Sequence, residues 1–328
     1  VIGDVNGDGK VDTTDARLVL QHAVGREALN EEGQEMADVN GDGAVDTTDA
    51  RLVLQFAVGL LEEFPASDQE PDQKPSGNLE SGVSVEGWNY TILKSDGYAI
   101  IDGYQGTAAE VTIPDCIKEY PVVGICTVGY SKILTTVYLG QNFRYVGSFT
   151  FCDCMNLTNI VFNDRLERID MGAFFGCESL QTVCIPDSVT RIGREAFSSC
   201  TNLTSVIIGD GVSEIGNGAF VSCANLSQVI LGENLKTIDE YAFATCPSLK
   251  TIVIPTSVTS IASNAFYTYG AALESIYFAG DCPDKFTGLV LDGRQKLPVL
   301  YCPRGNTSWD ALEKRGAMGI ADIVRYDP

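Results

Sequence analysis

The chain has 328 residues, with 44 acidic against 22 basic side chains and a net charge of −22. At 45% hydrophobic and 20% charged residues it is globular rather than disordered, and its acidity argues against nucleic acid, whose phosphates would be repelled. A single histidine, His22, argues against histidine-activated nucleophiles and histidine-ligated zinc, and no apolar run approaches the roughly 18 residues of a membrane span.

The charge is concentrated at the start, where residues 1–65 hold 14 acids and 4 bases. No export signal is visible, and a chain beginning at Val1 reads as a mature or trimmed form. Residues 4–25 and 38–59 are near copies offset by 34, differing only at Lys10/Ala44 and His22/Phe56. Each opens with the ligand spacing of an EF-hand loop. In the first, Asp4, Asn6 and Asp8 supply side-chain oxygens, Lys10 its backbone carbonyl, Asp12 the ninth position and Asp15 the twelfth. Asp38, Asn40, Asp42, Ala44, Asp46 and Asp49 repeat the pattern. Gly9 and Gly43 sit where the loop turns sharply. Ca2+ takes about six to eight hard oxygens, and without it the clustered carboxylates would repel one another. Two ions are therefore expected, one per loop, with metal binding driving the folding of a unit whose own core is thin.

Two features depart from an ordinary EF-hand: aspartate closes each loop, and each unit reads as a loop followed by a helix only. Residues 1–64 thereby resemble the type I dockerin family, whose paired F-hand motifs bind calcium and dock onto a cohesin of a scaffoldin. The resemblance implies a small all-α domain over 1–65 in a secreted, extracellular cellulosome or cell-surface protein. Carried over by loop position, the cohesin-reading residues would be Thr13, Thr14, Leu20, Gln21 and Gly25, with Thr47, Thr48, Leu54, Gln55 and Gly59 in the second half. Their duplication permits the family's dual binding mode, and a single mode stays open beside it. Leu18, Val19, Leu20, Ala23 and Val24 read mostly as helix core, and Val1, Ile2, Leu61, Phe64 and Pro65 are placed to clasp the termini together. Residues 66–85, rich in Pro, Ser, Gly, Asp and Glu, read as a semi-extended spacer.

A 23-residue period then takes over, with Phe151, Phe174, Phe197, Phe220, Phe243 and Phe266 in step. Cys154, Cys177, Cys200, Cys223 and Cys246 follow three residues later, and Leu157, Leu180, Leu203, Leu226 and Leu249 three after those. β-Rich triplets such as Val183-Cys184-Ile185 close each unit. One coil cannot bury its own apolar side, but parallel coils ~4.8 Å apart pair their strands and align like with like. The repeat resembles the BspA-type leucine-rich repeat of bacterial surface proteins, over roughly 86–328. The fold expected is a β-rich solenoid of about seven coils. Residues 86–125 would cap one end, and the non-repeating stretch 279–328, with a helix near Ser308–Arg315, the other.

Several residues invite a functional reading. The cysteine ladder reads as buried filler, and Cys282 with Cys302 or Cys116 with Cys126 are the candidate disulfides. Strand alternation turns Tyr138, Val161, Cys184, Ile207, Ile230, Val253 and Tyr277 outward as an apolar stripe, beside the polar row Thr136, Asn159, Thr182, Ser205, Gln228, Thr251 and Ser275. The stripe reads either as β-propensity alone or as a protein-binding face, with Tyr138 and Tyr277 as possible sugar platforms. Arg144, Glu167, Arg168, Arg191, Glu214 and Lys236 form a second, solvated surface of mixed sign. Asn156, Asn202 and Asn225 match a glycosylation pattern but recur at one turn position. No catalytic residue is nominated. The expectation is a non-catalytic cellulosome component whose solenoid recognises a second protein or a cell-surface or plant-wall ligand. An enzyme subunit acting on polysaccharide or peptide, and an inert spacer, are the alternatives.

Overall fold

The computed structural model describes residues 2–7, 9–11, 15, 18, 19, 22, 28–39, 45, 49, 53, 79–84, 86–125, 128–267, 273–286, 289, 297–315 and 320–327. The chain divides into two compact units, Val1–Gly77 and Asn78–Pro328.

In the first unit, Asp15, Leu18, Val19 and His22 are helical, as are Asp49 and Val53. Val19 and Val53, equivalent in the 34-residue repeat, are both fully buried, so the repeat in sequence is a repeat in core position. Of the other residues assigned to this core, Leu18 is half-buried, and Leu20, Ala23 and Val24 lie outside the described residues. A further helix, α1 (Glu31–Ala37), directly precedes the second loop, which corrects the reading of each unit as loop then helix alone. It starts because Asn30 caps it, its side-chain oxygen accepting the Gly33 N–H at 2.7 Å. Ala37 and Val39 are buried at its end.

The second unit is a β-solenoid in which each coil gives one strand to each of two parallel ladders. The short ladder consists of two-residue strands: Tyr145–Val146, Arg168–Ile169, Arg191–Ile192, Glu214–Ile215, Thr237–Ile238 and Ser260–Ile261. The second residue of each points inward and is buried. The long ladder runs in three hydrogen-bonded segments: Glu110–Thr112 with Thr136–Tyr138 and Asn159–Val161, then Thr182–Ile185 with Ser205–Ile208 and Gln228–Ile230, then Thr251–Ile254 with Ser275–Phe278. Between the ladders, phenylalanine rings 151, 174, 197, 220, 243 and 266 stack nearly parallel, with centroids 5.0–5.8 Å apart. Their spacing follows that of the strands, so the aromatic column and the hydrogen-bonded ladders reinforce one register.

The solenoid continues past the coils legible in the sequence. Glu110–Thr112 pairs with Thr136–Tyr138 at one end. At the other, Val299–Pro303 and Asp322–Tyr326 add two further parallel strands, so the stretch read as a non-repeating cap prolongs the long ladder. Its predicted helix is present as a 3-10 turn, Thr307–Trp309, leading into α2 (Asp310–Arg315). Trp309 is buried against Phe278 at 4.5 Å and donates its indole N–H to the Gly280 carbonyl at 3.1 Å. Arg325 on the last strand bonds Asp310 and Glu313 at 2.9 and 2.8 Å, tying helix to ladder. At the opposite end the antiparallel strands Leu79–Val83, Trp88–Leu93 and Tyr98–Tyr104 close the short ladder, with Trp88 buried beneath them.

Candidate functional site

Asp4 and Asp15 stand at the two ends of the first loop. Asp4 accepts the N–H groups of Gly7 and Gly9, both at 2.9 Å, and Asp15 accepts those of Val5 at 3.0 Å and Asn6 at 3.2 Å. Gly9 has φ +86°, the left-handed conformation that its loop position demands. In the second loop Asp49 accepts the Val39 N–H at 3.0 Å, which is the Val5–Asp15 bond repeated 34 residues on. Asp15 and Asp49 are fully buried and Asp4 nearly so, while Asn6 and Lys10 are exposed and Asp38 is half-buried. Buried carboxylates are costly unless opposed by positive charge. Backbone donors meet part of that requirement, and the all-oxygen donor set suits a hard divalent cation. Among the described residues no three acidic, histidine or cysteine side chains converge. The expected ligands Asp8, Asp12, Asn40, Asp42, Ala44 and Asp46 lie outside the described residues, as do Thr13, Thr14, Leu20, Gln21, Gly25, Thr47, Thr48, Leu54, Gln55 and Gly59.

On the solenoid, the outward row falls where alternation places it. Tyr138 pairs in register with Val161, Cys184 with Ile207, Ile207 with Ile230, and Val253 with Tyr277. Val161 is 39%, Ile207 43%, Ile230 60% and Val253 55% exposed, values high enough to make this face a contiguous apolar surface. The row continues into Tyr301 and Val324, which the sequence did not reveal because those strands lack the Phe-x-x-Cys signature. The polar row keeps the same register beside it.

Of the two tyrosines, Tyr277 offers no open face to a sugar. Tyr277 stacks on Tyr301 with centroids 4.4 Å apart and lies beside Val253 on its other side. Tyr138 donates its hydroxyl to Glu110 at 2.9 Å, a bond that, with the nearby negative charge, raises the phenol above its ordinary value.

A flanking row escaped the sequence reading although its 23-residue spacing was visible. Asp164, Asp187, Asp210 and Glu233 are all exposed, each three residues beyond a member of the stripe. A surface groove is lined by Val161, Cys184 and Ile207 together with Asp164 and Asp187. The second charged surface is, as expected, solvated: Arg144 pairs with Glu167 at 2.8 Å and Arg191 with Glu214 at 3.1 Å, coil to coil.

The ladder cysteines 154, 177, 200, 223 and 246 are buried, and burial raises every one of these thiols, Cys154 and Cys246 to about 12. Inert packing follows, since the thiolate is the reactive form. Among the described residues neither suggested disulfide is present. Cys302 is a free thiol buried under its strand, Cys116 is free and exposed, and Cys126 lies outside the described residues. Asn156 and Asn225 hydrogen-bond to the preceding coil, at Lys132 and Asn202, so their position is explained by turn chemistry.

Comparison with known proteins finds a family match within each unit. Residues 2–56 match the type I dockerin domain, and residues 144–272 match the BspA type leucine rich repeat region in six copies. No curated protein matches. Among solved structures, a leucine rich cell surface protein from Faecalibacterium prausnitzii is 24% identical with a TM-score of 0.53, over 80% of this chain and 78% of that one. It shows the same solenoid fold. A leucine rich repeat protein of T. pallidum is 28% identical over 62% of this chain and 84% of that one, with a TM-score of 0.45. One from Bacteroides ovatus is 20% identical over 74% and 76%, with a TM-score of 0.49.

Proposed function

From a chain that carries a type I dockerin domain and a BspA type leucine rich repeat region, we propose a non-catalytic, extracellular cellulosome component. Its dockerin binds the cohesin of a scaffoldin in a calcium-dependent manner, and its solenoid presents a recognition face to a second protein. The observation that carries the reading is the duplicated buried carboxylate, Asp15 and Asp49, each holding the backbone of its own loop.

Calcium is held, in this reading, by Asp4, Asn6, Asp8, the Lys10 carbonyl, Asp12 and Asp15, and by Asp38, Asn40, Asp42, the Ala44 carbonyl, Asp46 and Asp49. The metal neutralises the loops and so permits the helices that follow to pack. Those helices carry the paired Thr-Thr and Leu-Gln positions to the cohesin. On the solenoid, the exposed stripe has the composition of an interface core, apolar at the centre and polar at the rim. The test is binding of the intact chain to a panel of immobilised type I cohesins, with calcium and with a chelator. Capture in calcium that is lost on chelation supports the assignment; capture that persists without calcium, or no capture at all, overturns it.

A further inference from the structure

We propose that the exposed stripe of the long ladder docks a cationic amphipathic helix of a partner protein, an inference that rests on reading this face as a recognition surface. The stripe is bordered asymmetrically. On one flank stand the uncharged Asn159, Thr182, Ser205 and Gln228. On the other, every coil from Val161 to Ile230 places an acid three residues on: Asp164, Asp187, Asp210 and Glu233. Within the groove, Asp164 and Asp187 share walls with Val161, Cys184 and Ile207, so charge and apolar surface meet in one depression.

Two of the acids are held in place by hydrogen bonds from the next coil. Asp187 accepts the Asp210 N–H at 2.9 Å, and Asp210 accepts the Glu233 N–H at 2.8 Å, so these two carboxylates are held by the next coil through one oxygen each. Among the described residues, none of the four acids makes an ion pair. Like charges at the ~4.8 Å strand spacing repel one another. A partner with Lys or Arg along one edge relieves that repulsion, whereas an acidic partner adds to it.

Spacing selects the partner's conformation. A helix advances about 5.4 Å per turn, close to the ~4.8 Å step between coils, so successive turns lay one apolar side chain on each coil. An extended strand along the same axis presents same-face side chains about 6.7 Å apart and falls out of step within two coils. Such a helix along the row from Val161 to Val253 needs about three to four turns, a length typical of helices in globular proteins.

The experiment titrates the intact chain with three labelled peptides of about four helical turns: one with a leucine stripe and lysine along one flank, its glutamate counterpart, and a scrambled lysine peptide of the same composition. The lysine amphipath is expected to bind, the glutamate peptide to bind far more weakly, and the scrambled peptide not to saturate. The triple variant Asp187→Asn, Asp210→Asn, Glu233→Gln keeps the hydrogen-bond acceptors and should weaken the lysine peptide about tenfold. A control of equal charge change, Glu119→Gln, Glu178→Gln, Glu240→Gln, should change it less than about twofold. Equal losses in the two triple variants, or equal affinity for lysine and glutamate peptides, overturn the cationic partner. The variant Ile207→Thr, Ile230→Thr, Val253→Thr keeps the β-branched strand residues and tests the face itself. If it changes binding of no peptide, the recognition-face reading falls as well; if it weakens both amphipaths while the acid-neutralising triple variant leaves the lysine peptide unchanged, that reading stands and only the charge inference is lost.

Discussion

The thiol of Cys200 donates to the backbone carbonyl oxygen of Phe174, one coil earlier, at 3.2 Å. The same bond joins Cys177 to Phe151, Cys223 to Phe197 and Cys246 to Phe220. Each of these carbonyls sits at a buried turn, and that of Phe174 already accepts the Cys177 N–H at 3.2 Å. The thiol therefore occupies the remaining lone pair while filling the space between stacked rings. Cys200→Ala removes both contributions and should cost about 1–2 kcal/mol. Cys184→Ala, on the exposed face of the same array, should cost less than about 0.5 kcal/mol. Urea midpoints of the two variants measure the contrast, and equal losses would remove the thiol–carbonyl bond from the account.

The same burial makes stability sensitive to alkali. Cys154 and Cys246 are raised to about 12 by desolvation, and Cys177, Cys200 and Cys223 are raised by the same cause. In the unfolded chain these thiols titrate near their ordinary value of 9.0. A raised native value means that folding favours the protonated form. The contribution is therefore complete below about pH 9 and is lost as the pH rises toward 12. Unfolding free energy should fall steeply from pH 9 upward, and less steeply in a variant with two ladder cysteines replaced by alanine. Thiol reagents at pH 8 should modify Cys116 and Cys184 in the native chain and reach the ladder only in denaturant.

How much of this was legible depended on whether a feature repeats. Phe174, Cys177 and Leu180 announce their burial because the same three residue types return in the next coil at the same spacing. Tyr301 and Val324 continue the outward row without repeating the motif, so periodicity ended at Tyr277 while strand pairing did not. The acidic row had the period but not the chemistry of a core, and its relation to the stripe emerged only when the groove placed Asp187 beside Cys184. In the first unit, the oxygen pattern singled out Asp15 and Asp49 as ligand positions, and the structure shows both buried and bonded to the backbone of their loops. Helix α1 was missed because seven residues are too few for an amphipathic stripe.

Two backbone positions per coil adopt left-handed conformations between Phe149 and Thr245, and the sequence fills them unevenly. Gly172 has φ +57° and Gly218 φ +61°, where Glu195 and Tyr241 stand in other coils at +53° and +56°. A methyl group at Gly218 would find its nearest neighbour, the Glu195 side chain, at 3.3 Å. At Gly172 it would lie 2.3 Å from the Phe149 ring. Both alanine variants incur the left-handed penalty of about 1–2 kcal/mol, but Gly172→Ala must also displace an aromatic side chain. Its melting temperature should fall clearly further than that of Gly218→Ala, and equal shifts would show that the ring moves aside freely.

The proposed calcium sites can be tested without disturbing the hydrogen bonds that shape the loops. Asp49 serves the second loop in two ways, as an acceptor for the Val39 N–H and as a buried charge. Asn at this position keeps an acceptor oxygen and removes the charge, so Asp49→Asn separates the metal's requirement from that of the backbone. Calorimetric titration should show two calcium sites in the intact chain and one in Asp49→Asn, with Asp15→Asn giving the reciprocal loss. Chelation should abolish helical signal from Val1–Gly77 and leave the β-sheet melting transition of Asn78–Pro328 unchanged, because the chain divides into two compact units. Two sites retained in Asp49→Asn would place the second calcium elsewhere, and a solenoid transition that shifts with chelator would mean that the units share stability.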